Sequence, residues 1–257
     1  FAVRSDQYMA ACRWRFSCFR IFEHDMTSIG VDTRLKPETR EAPTARCHVL
    51  ITPDGERTMQ TYLGACVEIA PSDITEASCG DAQIVLLEGY VWDTPEGPES
   101  MAAAVRIAKA NGHRVALSLS DSFCVERHHA AFSTLSNAGA DIVIGNEAEM
   151  KALFEVATFD EARAAAAANG RLFVMTRSEL GSVIIQGSDA AEQAADTIEQ
   201  VIDSTGAGDA YVAGCLFALS QGQTLSQAAK LGTNCASLAI QQVGARPQPA
   251  ALRALVS

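Results

Sequence analysis

The stretch AQIVLLEGYVWDTPEGPESMAAAVRIAKANGHRVALSLS, residues 82–120, decides how this chain folds. Ala82–Glu88 is an apolar run of strand length. Pro98–Asn111 is Ala-rich and reads as a helix ended by Gly112. Val115–Ser120 is strand-like again, which completes a strand–helix–strand unit. The alternation continues downstream. His128–Ala138 reads as a helix ended by Gly139, and Asp141–Ile144 as a short buried strand. Helices follow over Glu147–Phe154 and Phe159–Ala168, and strands over Leu172–Thr176 and Gly181–Gln186. A short strand is expected at Thr197–Val201, then helices at Gly208–Ser220, Leu225–Ile240 and Ala250–Val256. Strands alternating with helices imply βαβ units and an α/β fold with a mostly parallel sheet. Ligands of such sheets bind at the carboxyl ends of the strands.

Upstream the pattern differs. Cys47–Thr52 and Arg57–Leu63 are strand-like and flank Pro53-Asp54-Gly55-Glu56, a strong hairpin signal. Ser72–Cys79 reads as a short helix with Ser72 as N-cap. Ile21–Ile29 reads as the end of a helix stopped by Gly30, followed by a loop to Pro43. Residues 1–20 show no clear period, and the chain begins with Phe1.

Composition narrows the classes. The 257 residues are 48% hydrophobic and 20% charged, which excludes a disordered chain. A net charge of -11 argues against a nucleic-acid partner and against docking on an anionic membrane. It leaves room for an anionic ligand held by local amides and a metal ion. The 8 cysteines are scattered, with no C-x-x-C pair. Small buried thiols in a reduced cytoplasm are therefore expected. No run of 18 apolar residues suggests a membrane span, and the first twenty residues lack the apolar core of a secretory signal.

The chemistry centres on Asp203-Ser204-Thr205-Gly206-Ala207-Gly208-Asp209, between a short strand and an apolar helix. Free amides of Gly206, Ala207 and Gly208 at a helix start favour an anion. Asp209 would project from the first helical turn, where a carboxylate can take a proton from an attacking hydroxyl. An ordinary strand–turn–helix with Asp209 stabilising the helix start is the plainer alternative. No G-K-[ST] follows, so this is not a Walker loop.

This loop resembles the C-terminal signature of the ribokinase-like (PfkB) carbohydrate and nucleoside kinases. Asn146-Glu147-Ala148-Glu149 resembles the family's N-x-x-E motif. Thr176-Arg177-Ser178-Glu179-Leu180-Gly181 resembles its T-x-G-x-x-G turn, with Ser178 in place of the middle Gly. Gly244-Ala245-Arg246-Pro247 resembles its closing loop. The four matches keep the family's order and cover roughly Ile21 to the C-terminus. The resemblance implies a three-layer αβα fold, a mostly parallel sheet flanked by helices, with a small β lid at residues 44–63. It implies ATP and Mg²⁺ as cofactors. Asp209 would be the general base, and Gly206, Ala207 and Gly208 the anion hole for the transferring phosphoryl. Asn146 and Glu149 would orient Mg²⁺ through water; without the family, Glu149 is simply a helix-start acid. Thr176, Ser178, Gly181 and Asn234 would line the nucleotide, although Asn234 also reads as surface-polar. Asp203 and Thr205 match where relatives often hold a monovalent cation, K⁺; Asp203 alone reads as a strand-end acid. Glu88 sits where the family contacts its acceptor, and reads equally as a solvated edge residue. His128-His129 reads as helix surface, and Asp121 as a residue that could face the site.

The wording around Arg57–Ala65 and Leu87–Tyr90 looks most like bacterial adenosine kinases and adenosine-kinase-like sugar kinases. The acceptor expected is therefore adenosine or another nucleoside, with ribose, fructose or a related sugar as alternative. The family's substrate-holding Asp strand and Gly-Gly…Asn stretch are not found before Ile21. Residues 1–257 are accordingly expected to be one ribokinase-like domain lacking its N-terminal part, a monomer or homodimer. A catalytically inactive or truncated nucleotide-binding module is the alternative of another class. A dinucleotide enzyme fits poorly, since no G-x-G-x-x-G follows an early strand.

Overall fold

The computed structural model describes residues 18–32, 42–79 and 82–256. The readings for residues 1–17 and for the loop at 33–41 lie outside the described residues. In chain order, α1 (Cys18–Ser28) precedes the hairpin strands β1 (Arg46–Ile51) and β2 (Arg57–Tyr62). The turn α2 (Glu76–Cys79) leads to β3 (Ile84–Glu88), α3 (Gly97–Ala110) and β4 (Arg114–Ser118). Two short helices, α4 (Ser122–Arg127) and α5 (His129–Thr134), lead to β5 (Ile142–Asn146). Next come α6 (Glu147–Phe154), α7 (Phe159–Asn169), β6 (Leu172–Thr176), β7 (Ser182–Gln186) and β8 (Asp189–Gln193). The chain closes with α8 (Ala207–Ser220), α9 (Leu225–Ile240) and α10 (Pro249–Val256).

Strands β3 to β8 form one six-stranded sheet in sequence order. β3, β4, β5 and β6 run parallel, while β7 and β8 are antiparallel. Near-continuous apolar runs such as LFVMT let a strand bury both faces. Phe173 and Met175 point to one side with Leu117 and Val143. That side is covered by Met101 of α3, Phe132 of α5, Met150 of α6 and Ala162 of α7. Leu172 and Val174 point to the other side, where Tyr211 and Cys215 of α8 and Ala228 and Cys235 of α9 pack. The result is helix, sheet, helix in three layers. Each fully buried Phe or Leu side chain contributes about 1.5–3 kcal/mol to holding the layers together.

Three readings need correction, and one short helix was not expected. Thr197–Val201 is not a strand. The two-residue turn Gly187-Ser188 folds Asp189 back opposite Gln186, so Asp189–Gln193 takes the edge of the sheet instead. Ser72–Cys79 is not one helix, and Ser72 is not its cap. Asp73 bonds back to the Ala70 amide at 2.9 Å, and Thr75 receives the Ser78 amide at 3.2 Å, so two separate turns form. The helix expected at His128–Ala138 is α5, His129–Thr134, continued by a wider helical turn over Leu135–Gly139. A separate short helix that was not expected, α4, precedes it from Ser122, where Asp121 accepts the Cys124 amide at 2.6 Å. The strand Val115–Ser120 stops at Ser118, because Ser120 turns left-handed at φ 72°.

The hairpin stands as its own two-stranded sheet, with Arg46 opposite Tyr62 and Ile51 opposite Arg57. Its strands are mostly exposed on both faces. Among the described residues, no helix is long and apolar enough to cross a membrane.

Candidate functional site

The carboxyl ends of β3, β4, β5 and β6 share one edge of the sheet. Glu88 lies across from Ser118, and Asn146 across from Thr176. The start of α8 reaches this edge as well. The Tyr211 hydroxyl donates to Ser182 Oγ at 2.8 Å, and Ser182 is register-paired with Thr176. Asp209, two residues before Tyr211, is thereby brought to the same edge, exposed on the first turn of α8.

The loop before α8 is tied internally. Asp203 is 1% exposed and its carboxylate accepts the amides of Thr205 and Gly244, both at 2.9 Å. Burial works against its charge, but the nearby Thr205 hydroxyl, these amides and the Arg57 guanidinium hold its pKa below the ordinary value. Gly206 caps α8 at φ 78°, and a Cβ there would stand 2.4 Å from the Ala245 carbonyl oxygen. Only glycine suits both the backbone and the space. The amides are not all available as expected. Ala207 donates to the Ser204 carbonyl at 3.3 Å, a weak turn bond that leaves the helix start to Gly206 and Gly208. The segment leading into this loop is not the expected strand; the Ile202 amide donates to the Ile240 carbonyl at 2.8 Å, at the end of α9. Thr205 Oγ1 is buried without an aligned hydrogen-bond partner. A buried hydroxyl beside a buried carboxylate is an oxygen set that fits a monovalent cation.

Asn146 and Glu149 form a capping box at the start of α6. The Glu149 amide donates to Asn146 Oδ1 at 2.9 Å, and Glu149 Oε2 accepts the Asn146 amide at 2.9 Å. Asn146 Nδ2 donates to Glu149 Oε1 at 2.6 Å. Glu149 is 6% exposed, and this burial pushes its pKa up to about 7, with Asp121 adding repulsion against the Asn146 amide. The plain helix-start reading of Glu149 is thus real, and it coexists with hard oxygen donors of the kind that suit Mg²⁺.

In the turn after β6, the Arg177 amide donates to the Gly181 carbonyl at 2.8 Å and the Gly181 amide to the Ser178 carbonyl at 3.0 Å. Gly181 has φ 89°, and a Cβ would stand 2.1 Å from the Gln193 carbonyl oxygen. Ser178 itself is left-handed, φ 50°. Thr176 is partly buried at the strand end. Arg177 is bonded to Glu147 at 2.8 Å and lies 3.9 Å over the Phe159 ring, which leaves Ser178 and Leu180 exposed. Asn234 is half-buried in α9.

Glu88 is not a solvated edge residue. It is 9% exposed and accepts the Ser120 hydroxyl, and the Tyr90 amide donates to that same hydroxyl at 3.3 Å. The Tyr90 hydroxyl pKa is raised by burial, by its bond to Asp121, and by the charges of Asp121, Glu88 and Glu149. Tyr90, Ser120 and Asp121 thus join Glu88 at this edge. Sequence reasoning raised Asp121 and missed the other two. The clue for them was position, since both follow a strand's carboxyl end. His128 is not plain helix surface either: its Nε2 lies 2.8 Å from Asp93 Oδ1, with Cys124 near enough to share an ion. Arg127 already grips Asp93 with two bonds, of 3.1 and 2.6 Å, so the carboxylate is satisfied without metal.

A parallel sheet with a glycine-built helix start and carboxylates at its carboxyl edge is the architecture of a phosphate-handling α/β protein. A model of the PfkB family of carbohydrate kinases matches residues 20–251, and the chain belongs to that family. Its members are kinases that transfer phosphate to a hydroxyl. The solved adenosine kinase of Sinorhizobium meliloti superposes with a TM-score of 0.89 at 38% identity, covering 97% of this chain and 80% of that one. A Rhizobium etli structure described as a probable sugar kinase also has a TM-score of 0.89, at 37% identity, covering 97% and 79%. The fold is ribokinase-like. Adenosine kinase of Schizosaccharomyces pombe is 28% identical over 209 residues. That match spans 74% of this chain and 61% of the yeast protein, less than two thirds of its length.

Proposed function

We propose that this chain is an ATP-dependent phosphotransferase that moves the γ-phosphoryl to a primary hydroxyl of a ribosyl-containing acceptor, adenosine or another nucleoside. The observation that carries the reading is Asp209 on the first turn of α8, three residues beyond the glycine cap Gly206. Asp209 accepts the proton of the acceptor hydroxyl as its oxygen attacks the γ-phosphorus and ADP leaves. The amides of Gly206 and Gly208, with the positive end of α8, stabilise charge on the transferring group. Asn146 and Glu149 would hold Mg²⁺ through water, and the ion would neutralise phosphate charge there. Thr176, Ser178, Gly181 and Asn234 line the nucleotide, Glu88 meets the acceptor, and the 44–63 hairpin covers it. Asp203 and Thr205 take K⁺. A cytoplasmic location suits ATP chemistry and the free thiols of Cys124, Cys215 and Cys235.

The likeness to an adenosine kinase at 38% identity favours the nucleoside. The 37% likeness to a protein described as a probable sugar kinase keeps a sugar acceptor as the second reading. Phosphate transfer from ATP to adenosine and to a panel of sugars decides between them. Turnover of a sugar but not of adenosine overturns the nucleoside assignment. Binding of ATP·Mg without transfer to any acceptor replaces the enzyme reading with a nucleotide-binding module.

A further inference from the structure

The turn of the β1–β2 hairpin is bonded directly to the loop before α8. The Gly55 carbonyl accepts the Ser204 amide at 3.3 Å and the Ser204 hydroxyl at 3.1 Å. Arg57, the first residue of β2, donates from Nη1 to that same hydroxyl at 2.7 Å. The seat is tight, since a Cβ on Gly55 would stand 2.9 Å from Val201 Cγ1. Ser204 passes the contact on, because its carbonyl is the oxygen that accepts the Ala207 amide. A chain of hydrogen bonds therefore runs from Arg57 through Ser204 to the first residue of α8. Arg57 also acts on Asp203 by charge, and Asp203 holds the amides of Thr205 and Gly244. Little apolar packing competes with these bonds, because β2 is exposed along its whole length.

Building on the phosphotransferase reading, we propose that Arg57 is a positioning residue. Through Ser204 it sets the geometry of the amides and of Asp209, so that the seating of the hairpin governs the transfer step rather than nucleotide binding. A guanidinium suits the role. Its donors are always charged, and its rigid fork reaches a hydroxyl from an exposed strand. Small displacements of groups around a reacting phosphoryl are costly, so the effect belongs in kcat.

The test uses the whole chain as wild type, Arg57→Ala, Arg57→Lys, Ser204→Ala and the Arg57→Ala/Ser204→Ala pair. Turnover, ATP affinity without acceptor, and amide hydrogen exchange across residues 201–210 are measured in parallel. Arg57→Ala should lower kcat about 10- to 100-fold, the cost of a misplaced catalytic geometry. ATP affinity should stay near wild type, and amide exchange across the loop should quicken. Arg57→Lys should restore much of both. Ser204→Ala should reproduce the loss, and the pair should be no worse than either single change, since both break one chain. Wild-type kcat and unchanged exchange in Arg57→Ala overturn the proposal, as do additive losses in the pair. A wild-type chain that transfers phosphate to nothing sinks the enzyme reading instead; hydrogen exchange then still decides whether Arg57 orders the loop.

Discussion

Ser178 and Glu149 each occupy a position at some cost to stability. Ser178 takes a left-handed backbone that the resembling family gives to glycine, and a side chain is strained there. Ser178→Gly should therefore stabilise the protein by about 0.5–1 kcal/mol. Thermal melting checks this, with a rise of about 1–4 °C expected for a chain of this size. Glu149 has the opposite kind of cost, an ionisable group held where its charge is poorly solvated. Its folded pKa of about 7 lies above the ordinary 4.5, so between these values the folded state binds more protons than the unfolded one. Stability from this residue is thus full below pH 4.5 and lost as pH rises through 7. The loss amounts to about 3 kcal/mol at 1.36 kcal/mol per unit. In metal-free buffer with EDTA, Glu149→Gln should gain on wild type as pH rises from 4.5 to 8. A stability difference independent of pH would contradict the burial account.

At the scale of elements, the proposed function rests chiefly on the start of α8. Its cap, Gly206, is fixed both by φ 78° and by the Ala245 carbonyl. Gly206→Ala should destabilise the protein by about 1–3 kcal/mol and weaken ATP binding, because the loop must move to admit a Cβ. Urea unfolding and nucleotide titration check the two effects separately. The helices were mostly legible in the sequence. Gly112, Gly170 and Gly222 all follow helix ends and all have positive φ, and Thr224 opens α9 as its N-cap. What was not legible turned on partners. Thr197–Val201 has strand-like residues but no strand among the described residues pairs with it, whereas the polar DAAEQ pairs because Gly187-Ser188 is a hairpin turn. Strand formation answers to tertiary pairing more than to intrinsic preference.

Across the molecule, function gathers where distant segments meet one sheet edge. Asp209 and Glu149 belong to motifs that can be read locally, with the spacing visible in the chain. Glu88, Tyr90, Ser120 and Asp121 form a group only because β3 and β4 are neighbours, and no local pattern announces that. The contact from Arg57 to Ser204 spans 147 positions, which hid it from any reading by segment. The acidic balance of the whole chain, -11, also makes sense beside this edge. On the proposed function, a phosphate would be met here by amides and a helix start rather than by a basic surface.

The central claim is that Asp209 takes the acceptor proton beside amides that hold the phosphoryl group. The most direct measurement compares wild type with Asp209→Asn, in steady-state transfer from ATP and in nucleotide titration. The substitution keeps size and the helix start while removing the base. The account predicts a kcat lower by about 10²–10⁴-fold, with nucleotide affinity close to wild type. A variant that turns over at the wild-type rate would contradict it.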